Sequence, residues 1–227
     1  MLESIEKLLF PKFCEGCNKF GQLICNDCAN KIQINTQQSC LMCGHPNPGG
    51  MTHKICSFSY SPQQTYSLFR YEGLIKKIIR KGKYKGVFTL YKEAINLFTK
   101  KSNNLSIFEN SVFVPIPISK NRLKKRGYNQ VDKICEYLTQ TVANTQKLDL
   151  LIRTKNTLPQ YSLSREDRLI NMQGAIGMKN INITNQNIVI VDDILTTGAT
   201  LREACKTLKG TNYKSLSCLT LSVDTAY

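Results

Sequence analysis

The sequence predicts an α/β fold with a mainly parallel sheet and helices on both faces, preceded by a small cysteine-rich module. Three observations carry that reading. From about residue 61, apolar runs of strand length alternate with stretches of helical period, the pattern of βα units. Seven of the ten cysteines fall before residue 57, most of them in C-x-x-C pairs. One run, "NIVIVDDILTTGAT" at 187–200, joins an apolar strand to two adjacent acids and a threonine-glycine loop.

The cysteines come first in the chain. "CEGC" supplies Cys14 and Cys17, "CNDC" Cys25 and Cys28, "CLMC" Cys40 and Cys43, and "HKIC" offers His53 and Cys56 at the same spacing. Two ligands three residues apart on a tight turn can face one tetrahedral ion, so these pairs predict two structural zinc sites. Sequential pairing groups Cys14, Cys17, Cys25 and Cys28, then Cys40, Cys43, His53 and Cys56; a cross-braced arrangement is the alternative. His45, in "CGHP", competes with His53 for the last ligand position. Disulfides would need an oxidising compartment, and the start "MLESIEKLLFPKFC" is too charged and its apolar run too short for a secretion signal. A module this small cannot fold on an apolar core, so metal binding is expected to supply much of its folding free energy. The domain boundary is placed at 60: residues 1–60 bind zinc and 61–227 form the α/β domain.

In the second domain, "YSLFRYEG" reads as a strand and turn. "LIKKIIRKGKYKG" reads as a short amphipathic helix running into a basic loop, and "VFTLYKEAINLFTKK" as a second helix. "SVFVPIPIS" is a strand whose prolines, Pro115 and Pro117, mark its end. "NQVDKICEYLTQTVA" puts Val131, Ile134, Cys135, Leu138 and Val142 on one helical face. "NIVIVDD" is a buried strand, "TLREACKTLKG" a helix closed by Gly210, and "SLSCLTLSV" a last strand. Cys135, Cys205 and Cys218 fit as core residues.

Ligands of open parallel sheets bind beyond the carboxyl ends of the strands. Asp192 and Asp193 stand at such an end, followed by a loop that opens a helix and so presents free N–H groups to an anion. Gly198 allows close approach, Thr196, Thr197 and Thr200 add hydroxyls, and Ala199 stands among them. Adjacent carboxylates can accept hydrogen bonds from neighbouring sugar hydroxyls, so the run reads as a site for a ribose 5-phosphate. The Asp193 carboxylate is expected to project into a water-filled crevice, and Asp192 to behave similarly, with the alternative that one of the two turns into the loop and supports it. The pattern G-x-x-x-x-G-K-[ST] is missing, which excludes a Walker A loop.

A net charge of +15 favours polyanions, although charge alone also serves solubility. "SKNRLKKRGYNQ" gathers Lys120, Arg122, Lys124, Lys125 and Arg126 without an acid, and arginine forks suit pyrophosphate oxygens. The same residues can instead grip a DNA backbone. "RKGKYKG" adds Arg80, Lys81, Lys83 and Lys85, with Tyr84 placed to stack on a base of single-stranded DNA. "RTKNTLPQYSLSREDRLINM" has the composition of a lid, with Gln160, Arg165 and Arg168 as candidates to reach a reacting sugar. No stretch approaches the roughly 20 apolar residues of a membrane span. The chain reads as soluble and cytoplasmic, with a peripheral contact at the inner face of the membrane open to its basic surface.

"VIVDDILTTGAT" resembles the phosphoribosyl pyrophosphate (PRPP) motif of type I phosphoribosyltransferases. With "VPIPISKNRLKKRGYNQ", "RTKNTLPQYSLSREDRLINMQGA" and the cysteine pairs in that order, the chain is similar over nearly its whole length to the ComF/ComFC family, linked to DNA uptake in natural competence. His53 departs from the family's usual cysteine. The resemblance implies a type I phosphoribosyltransferase-like domain behind a double zinc ribbon, with PRPP and magnesium at residues 192–200. It assigns Arg122 and Arg126 to the departing pyrophosphate and Gln160 and Arg165 to the lid. It also implies partners among the DNA-uptake proteins, such as a competence helicase. Two functions remain open: a transferase whose acceptor cannot be read, and a nucleic-acid-binding protein that keeps the fold without catalysis.

Overall fold

The computed structural model describes residues 11–155 and 165–224; within the latter span, the side chains of 165, 166, 168 and 169 are outside the description. Five parallel strands form the central sheet in the order β1, β7, β6, β2, β3. They are β1 (Gln64–Arg70), β2 (Ser111–Pro115), β3 (Gln146–Lys147), β6 (Asn187–Leu195) and β7 (Ser215–Val223). Alternate residues of the central strands face two separate cores. Val189, Val191, Leu219 and Leu221 pack with helices α2 (Gly73–Lys85), α3 (Thr89–Lys101) and α5 (Gln130–Thr141). Ile188, Ile190, Leu216 and Cys218 pack with α7 (Ala199–Thr207). Burial on both faces explains why these strands read as continuous apolar runs. The five residues placed on one helical face, Val131, Ile134, Cys135 and Leu138 in α5 and Val142 just after it, are all buried.

Three features differ from the sequence expectation. The basic stretch after Ile79 is helix, not loop: α2 continues through Lys83 and Tyr84 to Lys85 and stops at Gly86, φ 65°. Gly82 is inside that helix because Tyr91 occupies the space of a side chain; a Cβ there would lie 2.1 Å from the Tyr91 hydroxyl oxygen. "KNRLKKR" is also a helix, α4 (Lys120–Arg126). Ser119 accepts the Arg122 N–H at its start, and Gly127, φ 82°, ends it with three cations in the last turn, where the dipole favours them. Finally, β4 (Leu151–Arg153) and β5 (Ile176–Met178) pair antiparallel as a small second sheet, next to α6 (Arg165–Met172).

The cysteine segment covers the β1 edge. Asn35 N–H donates to the Leu68 carbonyl at 2.9 Å, the Gln38 side chain bonds both to Ser67 N–H and to its carbonyl, and Met51 pairs with Gln64. An exposed edge strand is thereby protected. Among the described residues, no helix is long and apolar enough to cross a membrane.

Candidate functional site

The two cysteine groups form as sequential pairs. Cys14, Cys17, Cys25 and Cys28 bring their sulfurs together, as do Cys40, Cys43 and Cys56 with the His53 ring; within each group the ligand atoms lie within 4.8 Å of one another. Helix α1 (Asn26–Lys31) carries Cys28 into the first group. Cys43 Sγ is 3.4 Å from His53 Nδ1, while the His45 side chain stays outside and its carbonyl accepts from Cys40 N–H. Burial pushes the Cys14 thiol up, but N–H groups of Cys25, Cys17 and Gly16 outweigh it and bring it down to about 6. Cys40 is lowered to about 6 in the same way, burial being outweighed by bonds from His53, Cys43 and Met42. Burial and three neighbouring sulfurs push Cys28 up to about 12. Crowded thiols that hold one another's protons in this way fit a dication, which would keep all of them as thiolates. Both groups fill four positions with protein ligands, as a structural zinc requires.

At the carboxyl ends of β2 and β6 lies a cavity of about 1200 Å³. One wall is β6 and its loop. Asp192, Asp193, Thr196, Gly198, Ala199 and Thr200 line it, and Thr197 is buried beneath, 7% exposed. The strand runs two residues past the acids to Leu195, so the loop is tight and α7 begins at Ala199. Gly198, φ 74°, takes the left-handed conformation at the helix start, which favours glycine.

The other wall is basic. Arg80, Lys83, Tyr84 and Lys85 come from α2, Arg122, Lys125 and Arg126 from α4, and Arg153 from the end of β4. Residues read from sequence as a separate nucleic-acid face, namely Arg80, Lys83, Tyr84 and Lys125, therefore stand around the same cavity as the acids. Lys124 does not line it. Tyr84 is 66% exposed, with the Arg126 guanidinium 5.1 Å from its ring centre. Gln160 lies outside the described residues; Arg165 opens α6, but its side chain is not described, nor is that of Arg168.

The acids are not equivalent, and one of them corrects the expectation of a water-filled crevice. Asp193 is buried, 5% exposed; its Oδ2 accepts from Gln130 Nε2 at 2.7 Å and pairs with Lys83 Nζ at 2.9 Å. Gln130 in turn accepts from Arg126 Nη1 at 2.8 Å. Burying a carboxylate needs such partners. Asp192 is half-buried, and its Oδ1 accepts the Asp193 N–H at 2.8 Å. Desolvation, then the Asp193 charge, push its carboxyl up to about 7. Burial and Arg126 lower Arg122, and burial and Arg122 lower Arg153 to about 10, which leaves Arg153 cationic at neutral pH. Gln130 and Arg153 carry no role in the sequence reading, although both stand inside the quoted segments "RGYNQ" and "RTKNTLPQ". A glutamine that must bond a buried carboxylate gives no local signal.

Among the described residues, groups of three or more metal-capable side chains occur only at the two cysteine sites. The strand-end acids by themselves form no such group.

The chain matches the Phosphoribosyl transferase domain family over residues 68–225 and the Double zinc ribbon domain family over residues 5–57. It is 30% identical over 203 residues to Competence protein ComFC of Bacillus subtilis, covering 84% of this chain and 79% of that one. It is 26% identical over 207 residues to Competence protein F of Haemophilus influenzae, with 86% and 83% covered. DNA utilization protein YhgH of Escherichia coli is 32% identical over 95 residues, 42% of this chain and 41% of that one.

Proposed function

This chain belongs to the ComF/ComFC family, phosphoribosyltransferase-domain proteins with an N-terminal double zinc ribbon, and from that premise we propose that it binds PRPP at the end of β6 and serves DNA uptake. One observation carries the reading: two acids, a glycine-opened helix start and a basic wall line a single cavity of about 1200 Å³. The loop 196–200 takes the 5-phosphate on backbone N–H groups and the threonine hydroxyls. Asp192 accepts hydrogen bonds from the ribose hydroxyls, and Asp193 does so once the ligand competes with Lys83 for its Oδ2. Arg122 and Arg126 hold the pyrophosphate, and Gln160 and Arg165 belong to the segment that covers it. Magnesium, carried in on the ligand, would neutralise pyrophosphate charge. A nucleophile then attacks C1 of the sugar as the C1–oxygen bond to pyrophosphate breaks; no described side chain reads as its general base.

A second reading, single-stranded DNA binding, rests on the same basic wall, which includes Lys125, and on Lys124 beside it. Tyr84, exposed and backed by Arg126, is a stacking surface for a base. The two readings are compatible, and DNA-uptake proteins such as a competence helicase are the expected protein partners. Calorimetric titration of PRPP with magnesium decides the first reading, and loss of all heat in a folded, zinc-loaded protein would refute it. Pyrophosphate release from PRPP, with and without single-stranded DNA, separates a transferase from a binding protein: release above the protein-free blank means turnover.

A further inference from the structure

Arg202 lies in the first turns of α7, and its guanidinium ends on two backbone carbonyls from distant parts of the chain. Its Nε donates to the Leu41 carbonyl at 3.0 Å and its Nη2 to the Thr197 carbonyl at 2.7 Å. Leu41 is the residue after the metal ligand Cys40, in the turn "CLMC". Its side chain is fully buried and belongs to the same apolar cluster as Ala199, Leu201, Ala204 and Cys205. Thr197 lies in the phosphate loop, itself 7% exposed. One rigid, planar fork therefore spans the second cysteine group and the loop that faces the cavity.

That link has a geometric consequence for the loop. In a trans peptide the carbonyl and the following N–H point in opposite directions. Holding the Thr197 carbonyl on Arg202 thus fixes the direction of the Gly198 N–H, in a residue that lines the cavity. Glycine at φ 74° has ready access to other conformations, so without the fork that peptide loses one of the bonds that hold it. The others are Ala199 N–H to Thr197 Oγ1 and Arg202 N–H to the Gly198 carbonyl. Among the described residues, the first cysteine group has no such tie: it packs on Leu74 at the start of α2, and Glu15 pairs with Lys81 at 2.6 Å.

We propose that the second cysteine group is an anchor for the phosphate loop, with Arg202 as the positioning residue, so that zinc held by Cys40, Cys43, His53 and Cys56 sets the affinity of the loop for an anion. The effect on PRPP rests on the reading in the preceding section, whereas the effect on the loop itself does not. Loss of metal from this group would loosen residues 196–199 and weaken the cavity for its ligand, while loss from the first group would leave the loop as it is.

The test uses the full-length, zinc-loaded protein. Hydrogen exchange is followed at amides 196–199 and in β7, beside zinc content and calorimetric titration with PRPP and magnesium. Arg202→Met should keep a zinc at each group and normal protection in β7. Its loop amides should exchange about tenfold faster and its PRPP affinity fall by about the same factor, the size of one charge-assisted bond. Cys43→Ala should speed the same amides, and adding Arg202→Met to it should change little more, because both cut one link. Cys17→Ala should leave the loop amides unchanged. Loop exchange in zinc-loaded Arg202→Met equal to wild type would overturn the proposal, and so would full additivity with Cys43→Ala. Should Cys43→Ala fail to fold, exchange in Arg202→Met alone decides. Should wild type bind no PRPP while the loop amides still respond to Arg202, the anchor stands and the ligand assignment falls.

Discussion

On one side of the cavity, β6 runs into Gly198 and α7 within a few residues, so acids, loop and helix start follow one another along the chain. On the other, Lys83, Arg126 and Arg153 reach the same space from three elements whose positions depend on tertiary packing. Gly82 must sit against Tyr91, the Tyr128 hydroxyl must reach the Gly82 carbonyl at 2.9 Å, and Asn129 must hold the Ile116 carbonyl at 3.0 Å. A wall made of contiguous residues is set by local backbone geometry. A wall made of packed helices is set by the core beneath it, and substitutions in that core should reach the ligand indirectly. Asp193 belongs to both, since it stands on the first wall and is held by Lys83 and Gln130 from the second.

The largest effect should come from cutting the walls apart at that residue. Asp193→Ala removes the shared partner of Lys83 and Gln130, and breaking a buried pair costs about 3 kcal/mol of stability. PRPP affinity should fall about tenfold to a hundredfold in addition. Asp193→Asn can still accept from Gln130 and should recover part of the stability but not the binding. Thermal melts beside calorimetry separate the two losses; a melting temperature unchanged in Asp193→Ala would mean that the two walls are independent.

Next in size is a change to the basic wall alone. Gly82→Ala places a methyl against the Tyr91 ring and hydroxyl, which the buried ring cannot vacate. Overpacking of this kind costs about 1–3 kcal/mol. The residue touches no ligand, so a weaker affinity for PRPP in Gly82→Ala, at a temperature where the protein is fully folded, would report the displacement of Lys83 and Tyr84. An unchanged affinity would show that α2 shifts without carrying its cations along.

The pH dependence singles out the first wall. The Asp192 carboxyl is raised from 3.8 to about 7, so the folded protein holds a proton that the unfolded chain releases between those values. Its contribution to stability is full below the lower value and is lost as pH rises toward the upper one. Binding has the opposite sign, because the ionised carboxylate is the better acceptor for ribose hydroxyls. Affinity should rise about tenfold from pH 6 to pH 8, following the ionised fraction. Asp192→Asn should remove that slope while keeping whatever part comes from ionisation of the ligand itself. Equal slopes in both proteins would place the titrating group elsewhere.

The same contrast explains what the sequence reveals and what it hides. Strand β6 is legible because burial on both faces leaves an unbroken apolar run and because its loop is contiguous. The cysteine groups are legible because their spacing is the chemistry. Helix α4 is not, since seven residues rich in lysine and arginine show no apolar period; only its caps, Ser119 and Gly127, mark it. The far end of α2 hides for a different reason: Gly82 reads as a helix breaker until Tyr91 is known to fill its place. Burial of Asp193 depends on Lys83 and Gln130, which no local pattern connects to it.

The smallest expected effect lies at the margin of the basic wall, at Lys124 and Lys125. Lys125 lines the cavity rim and Lys124 does not, although they are neighbours on α4. If single-stranded DNA follows this helix, each lysine releases a counterion on binding, and the slope of log affinity against log salt should fall by about 0.7 for each one replaced by alanine. Both variants should lose less than about tenfold in affinity at moderate salt, evenly across sequences, because a phosphate contact reads no base. PRPP separates the two positions. Saturating PRPP with magnesium should compete with DNA at Lys125, on the rim, and leave the contribution of Lys124 intact. Salt titrations of Lys124→Ala and Lys125→Ala, each with and without PRPP, measure this directly. If PRPP abolishes DNA binding altogether, the strand enters the cavity and the basic wall serves one ligand at a time. If PRPP changes neither slope, DNA runs along α4 outside the cavity, and the sugar phosphate and the strand occupy separate surfaces of the same helix.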